Sequence, residues 1–127
     1  MHIVAALFVE NFEMRQVPSG ATRIDLTGVM FSITAPAPPP CTLDPHLIGL
    51  IWCPPDEDGH GIFEVVFTRD GKELARNVNP FTVEPGKFTY RLVKGELTFH
   101  DYGQVVAQCR IDRGEWHPVP LTLIPPV

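Results

Sequence analysis

Fourteen of the 127 residues are proline, about twice the share of an ordinary chain. No other feature narrows the choice of fold so far. Proline has no backbone N–H to donate, and its ring collides with the preceding turn of a helix, whereas strand edges and turns tolerate it. A chain this rich in proline is expected to be all-β. The run "APAPPP" at 35–40 cannot sit in a central strand, and it reads as a stiff extended crossover between sheets.

The apolar pattern fills the intervals between these breaks. Residues 2–9 are nearly all apolar and read as a buried strand, with a short helix as the alternative because so short a run has no decisive period. In "TRIDLTGVMFSIT", Ile24 and Leu26 share one parity while Val29, Phe31 and Ile33 take the other. A change of phase at Gly28 predicts a β-bulge that keeps both sets on the buried side. "HLIGLIWC" at 46–53 is apolar on both faces, hence a buried strand, and Trp52 within it is expected in the core. In "GIFEVVFTR", Phe63, Val65 and Phe67 alternate with Ile62, Glu64, Val66 and Thr68. That strand ends at Asp70-Gly71, where both positions tolerate the positive φ of a hairpin turn.

"PFTVEPGKFTYRLV" extends the pattern through Phe81 and Val83, then Phe88, Tyr90 and Leu92. A last hairpin sets Val105, Ala107, Cys109 and Ile111 inward, turns at "DRGE" and returns through Val119, Leu121 and Leu123. Pro118 and Pro120 are two apart, so both missing donors fall on one side of this returning strand, and it is expected to be a sheet edge blocked against extension. Turn signals at this spacing predict one domain over 1–127, an antiparallel β-sandwich of seven to nine strands.

The order of these pieces carries a resemblance. "AALFVENFE", then "GATRIDLTGVMFSI", a proline-rich crossover, an acidic turn before "FEVVFTRDGKEL" and a closing "PVPLTL" strand resemble a family of small stand-alone bacterial proteins known only as a domain of unknown function. The last hairpin of that family opens with glycine, any residue, then an aromatic. Here Gly103-Gln104-Val105 puts valine at the aromatic position. The resemblance implies an immunoglobulin-like sandwich and no activity or site.

Charge and cysteine usage bound the function. The net charge of −5 has no offsetting cluster of Lys and Arg, which argues against nucleic acid and anionic membranes as partners. The apolar opening lacks a basic leader and is broken by Glu10, so neither a membrane span nor a secretory signal is expected. Three cysteines (Cys41, Cys53, Cys109) suit a reducing cytoplasm better than a disulfide framework. Cys53 and Cys109 are spaced for the intersheet bridge of antibody-like domains, but that bridge needs export.

Candidate sites are few. "DEDGH" at 56–60 begins like a calcium loop, with Asp56 and Asp58, yet position three of the ligand set is His60 and the closing position falls on Phe67 rather than Glu. A polar turn permitted by Gly59 and Gly61 explains it more simply. Five scattered histidines show no ligand spacing. The two serines, Ser19 and Ser32, lie in no nucleophile elbow, and Cys109 sits on the core parity of its strand. No enzyme is expected and no cofactor is implied. The expected function is a non-catalytic binding or accessory module with a protein partner; a sheet face or the edge opposite the 117–122 strand is the expected contact surface, and Trp116, His117 and the loops at that end are the secondary one. The alternative is a carbohydrate- or metal-binding module using Trp116 and the acidic loop.

Overall fold

A computed structural model describes residues 1–126, and every regular element in it is a strand. In chain order these are β1 (His2–Gln16), β2 (Thr22–Met30), β3 (Ser32–Thr34), β4 (Cys41–Leu43), β5 (His46–Trp52) and β6 (His60–Arg69). They continue as β7 (Lys72–Thr82), β8 (Phe88–Lys94), β9 (Leu97–Phe99), β10 (Gly103–Ile111) and β11 (His117–Ile124). Four strands form one sheet in the order β2-β1-β5-β8, five form a second in the order β3-β11-β10-β6-β7, and β4 pairs with β9. The all-β expectation holds. Eleven strands exceed the seven to nine expected, because β3, β4 and β9 have three residues each, too few to show a period.

The two larger sheets share one apolar core. Phe8, Leu47, Ile51 and Val93 enter it from the four-stranded sheet, and Phe63, Val65, Phe67, Val105, Ala107 and Cys109 from the other. Phe8 and Phe67 meet across it with ring centroids 6.5 Å apart. Glycine sets the spacing where aromatic rings need room: a methyl at Gly49 would lie 2.7 Å from the Phe63 ring. Leu97 and Phe99 of β9 bury into the same core, with Cys41 and Leu43 of β4 packed alongside. The proline run leads from β3 in the five-stranded sheet to β4 and then β5 in the four-stranded sheet, which is the crossover its composition predicts.

The phase change at Gly28 has a different cause from the one expected. β1 and β2 keep one register on either side of it, with Val9 opposite Val29 and Asn11 opposite Thr27, so no residue is inserted there. Gly28 instead takes φ +64 opposite Glu10. Beyond Met30 the chain leaves this sheet, and Ile33 enters the other one beside β11. Met30 and Ile33 pack on the core, while Val29 is 38% and Phe31 75% exposed. The phase change marks a change of sheet. True register shifts lie elsewhere, between Ile3 and Ala5 against β5 and at Phe67/Thr68 against β7.

Three further expectations need correction. In β8 the core-facing parity belongs to Thr89, Arg91 and Val93, since Val93 is in the core and Arg91 stacks on Phe81 with its guanidinium carbon 4.8 Å from the ring centre. Phe88, Tyr90 and Leu92 therefore face outward. Trp52 lies opposite Phe88 on that outward side, 4.7 Å between ring centres, and is not a core residue. The strand β11 is an edge only over its first half. Thr122, Leu123 and Ile124 pair in parallel with β3, while His117–Leu121 have a partner on the β10 side alone among the described residues. The proline phase is as argued: the amide of Thr122 donates to Phe31 O at 3.1 Å, so Pro118 and Pro120, of the same parity, present no donor on that side. Pairing with β3 begins where the prolines stop.

Candidate binding surfaces

Trp116 emerges from the β10–β11 turn, where Asp112 takes φ +53 and the amide of Gly114 closes on Ile111 O at 2.9 Å. Its indole lies over the Arg110 guanidinium, 4.0 Å from carbon to ring centre. Arg110 donates to Glu64 Oε1 at 2.7 Å, the other Glu64 oxygen accepts from Arg76, and Arg76 reaches Glu73 at 2.7 Å. The row crosses β10, β6 and β7 on the outward face of the five-stranded sheet. Its centre is the buried carboxylate of Glu64, in a residue 8% exposed; two guanidinium groups make that burial tolerable. Hydrogen bonding to Arg76 holds the Glu73 carboxyl below its ordinary range. Ile62 and Val78 flank the row and are exposed.

The structure separates Trp116 from His117. Trp116 covers the outward face, whereas His117 pairs with Cys109 on the opposite parity and lines a hollow with Met1, His2 and Glu115. One face of the Trp116 indole is already occupied by Arg110, which leaves a single face for stacking on any ligand.

The acidic loop is a turn whose groups are engaged locally. Asp58 Oδ1 accepts from the His60 amide at 3.0 Å, and Glu57 pairs with the terminal ammonium of Met1. Gly59, at φ +79, also meets the backbone of Val83, where a methyl would lie 1.9 Å from the carbonyl oxygen. Among the described residues no three His, Cys, Asp or Glu side chains come together in a metal-binding group. All three cysteines are free, and burial pushes the Cys109 thiol up to about 12.

A second surface lies on the outward face of the four-stranded sheet. Because Leu47, Gly49 and Ile51 of β5 face the core, Ile48, Leu50 and Trp52 face outward with Tyr90, Leu92 and Phe88 beside them. Ile48 is fully buried there although it lies outside the core cluster. Cover comes from the far half of the β1–β2 hairpin, which leans over this face: Phe12 sits 5.1 Å from Tyr90, ring centre to ring centre. Between hairpin and sheet runs an apolar slot of ≈ 320 Å³, lined by Met14, Thr22, Ile24, Leu50, Phe88, Thr89 and Tyr90. At its mouth Phe88 is 63% and Met14 44% exposed. The signal for it was present in the strand apolar on both faces, since such a strand implies cover on both sides.

No model of a known protein family matches the chain, and no curated protein matches it in sequence. No helix among the described residues is long and apolar enough to cross a membrane.

Proposed function

We propose that this chain is an immunoglobulin-like β-sandwich acting as a non-catalytic binding module, with a protein as its partner and the outward face of the four-stranded sheet as the contact surface. The carrying observation is the apolar slot beneath Met14 and Phe88, whose mouth is open to solvent. Contiguous exposed aromatic and aliphatic surface beside a preformed recess is the usual mark of a partner site. A recess near 320 Å³ lies at the lower end of ligand pockets and suits one or two inserted side chains.

The immunoglobulin-like reading draws on the shared core of two sheets and on β3 running parallel to β11 at the margin of the second sheet. It agrees with the resemblance to the bacterial family, and the three free thiols suit a cytoplasmic setting. The non-catalytic part draws on the disposition of the nucleophiles: Ser32 lies in β3, and the Cys109 thiol is buried and held protonated.

The test is binding by variants of the intact chain to a partner captured on the native protein, then purified and reconstituted. Met14→Glu and Phe88→Glu, singly and together, are expected to lose that binding while keeping the far-ultraviolet spectrum of a β protein. Trp116→Ala is expected to keep it. The reverse pattern, with binding lost at Trp116 and retained at Met14 and Phe88, overturns the assignment of the surface.

A further inference from the structure

The longer sheet margins differ in what they offer another strand. In β11 the open stretch carries Pro118 and Pro120 on its unpaired side. In β7 the amide of Val83 bonds Gly59 O, so residues of that parity face β6 and Pro80 directs its missing donor to the open side. A register shift near Leu74 distorts the same edge further. In β2 the amide of Val17 bonds Ala21 O, which turns Thr22, Ile24, Leu26 and Gly28 outward, and the edge is interrupted where Gly28 takes φ +64. Prolines, bulges and kinks of this kind are the devices that keep edges from recruiting strands.

The edge of β8 has none of them. Its register with β5 is constant from His46 opposite Lys94 to Trp52 opposite Phe88. The Cys53 amide donates to Lys87 O and the Gly95 amide to Pro45 O, both at 3.0 Å. Those two bonds fix the phase: Thr89, Arg91 and Val93 turn their backbone groups toward β5, and Phe88, Tyr90, Leu92 and Lys94 turn theirs away from the sheet. Among the described residues, only the Tyr90 carbonyl on this row has a side-chain partner, Arg91 Nη1 at 3.0 Å. Phe88, Thr89 and Tyr90 of the same strand also wall the apolar slot.

We infer that β8 is a strand-addition site for an extended peptide segment that alternates apolar side chains with acidic ones. The peptide backbone pairs with the outward row of β8, and an apolar side chain enters the slot beside it; main-chain bonds of this kind supply affinity while the recess supplies selectivity. Charge chooses the occupant. Residues 87–94 hold Lys87, Arg91 and Lys94 and no carboxylate, in a chain of net charge −5. Lys87 and Lys94 make only exposed pairs with Glu84 and Asp44, and Arg91 has no carboxylate partner among the described residues. A second copy laid antiparallel along β8 brings two such sets of cations together, whereas an acidic segment neutralises them. This inference rests on the proposed contact surface and adds the form and charge of what binds there.

The experiment is selection of ten-residue peptides from a random display library on the immobilised intact protein, followed by synthesis of the enriched sequences. Alternating apolar residues with interspersed Asp or Glu are expected, with binding that weakens as salt is raised. Leu92→Pro removes an outward N–H and no bond to β5, so the variant keeps its fold and binds about tenfold more weakly. Peptides N-methylated on alternate amides lose binding to the native protein to a similar degree, which makes the result independent of how that variant folds. No enrichment, or enriched peptides without acidic residues, overturns the inference. Binding lost in Met14→Glu yet indifferent to Leu92→Pro and to N-methylation keeps the contact surface and rejects strand addition. A dimer in sedimentation that Leu92→Pro dissociates assigns the edge to a second copy and overturns it as well.

Discussion

Cys109 illustrates how much a single position settles. Its place on the apolar parity of a strand predicts a small core residue, and the thiol is fully buried with its pKa raised to about 12 by desolvation. A thiol whose folded pKa lies above the free value of about 8.5 contributes fully to stability below that value, and the contribution is lost as pH climbs toward 12. A disulfide-exchange reagent at pH 8 should therefore modify half-buried Cys41 in the native protein and reach Cys53 and Cys109 only on unfolding. Rapid labelling of Cys109 in the folded state contradicts its place in the core. Glu64 makes a similar case on the other face. Glu64→Ala strands Arg110 and Arg76 and empties a buried site, and a loss of about 1–3 kcal/mol is expected in denaturant unfolding. A change within experimental error would mean that the row is decorative.

Elements were legible where inward apolar residues recur at every second position. The strands β6, β10 and β11 show that alternation, and their inward residues are as read, although in β6 the outward Glu64 and Val66 are buried as well. β8 does not, because Phe88, Tyr90 and Leu92 look like a core stripe while Thr89, Arg91 and Val93 are the ones that point inward. Arg91 can do so because the Phe81 ring receives its guanidinium. Parity reports apolar surface, and here the outward side is the more apolar one. Turn glycines divide along similar lines. Gly59 and Gly71 both have positive φ, yet a methyl at Gly71 meets nothing within 4 Å and one at Gly59 meets the Val83 carbonyl. Gly71→Ala should cost about 1–2 kcal/mol through backbone conformation alone. Gly59→Ala should cost about 3 kcal/mol or more. Equal midpoints for the two variants would show that the close approach at Gly59 relaxes without cost.

At the scale of the whole molecule, the all-β class followed from proline content and turn spacing, but the bend of the first hairpin over the sheet did not. That bend depends on Phe12, Met14 and Ile24 meeting residues of β5 and β8 some 26 to 78 positions later in the chain, a distance over which local pattern has no reach. It gives the four-stranded sheet a half-covered outer layer with an open slot, and that layer is the candidate site. Trp116, a secondary candidate from the sequence, is part of a stacked and paired row on the opposite sheet. Amide exchange on the free protein should find Thr89, Arg91 and Val93 protected and Phe88, Leu92 and Lys94 exchanging freely. Uniform protection along β8 would mean that its edge is already covered.

The most direct measurement is site-specific photo-crosslinking inside the native host cell, with p-benzoylphenylalanine placed in turn at Phe88 beside the slot, at Thr98 on β9 and at Trp116. One discrete protein adduct is expected from position 88 and none of comparable yield from positions 98 or 116. An adduct confined to position 116, with position 88 silent, would contradict the proposed contact surface.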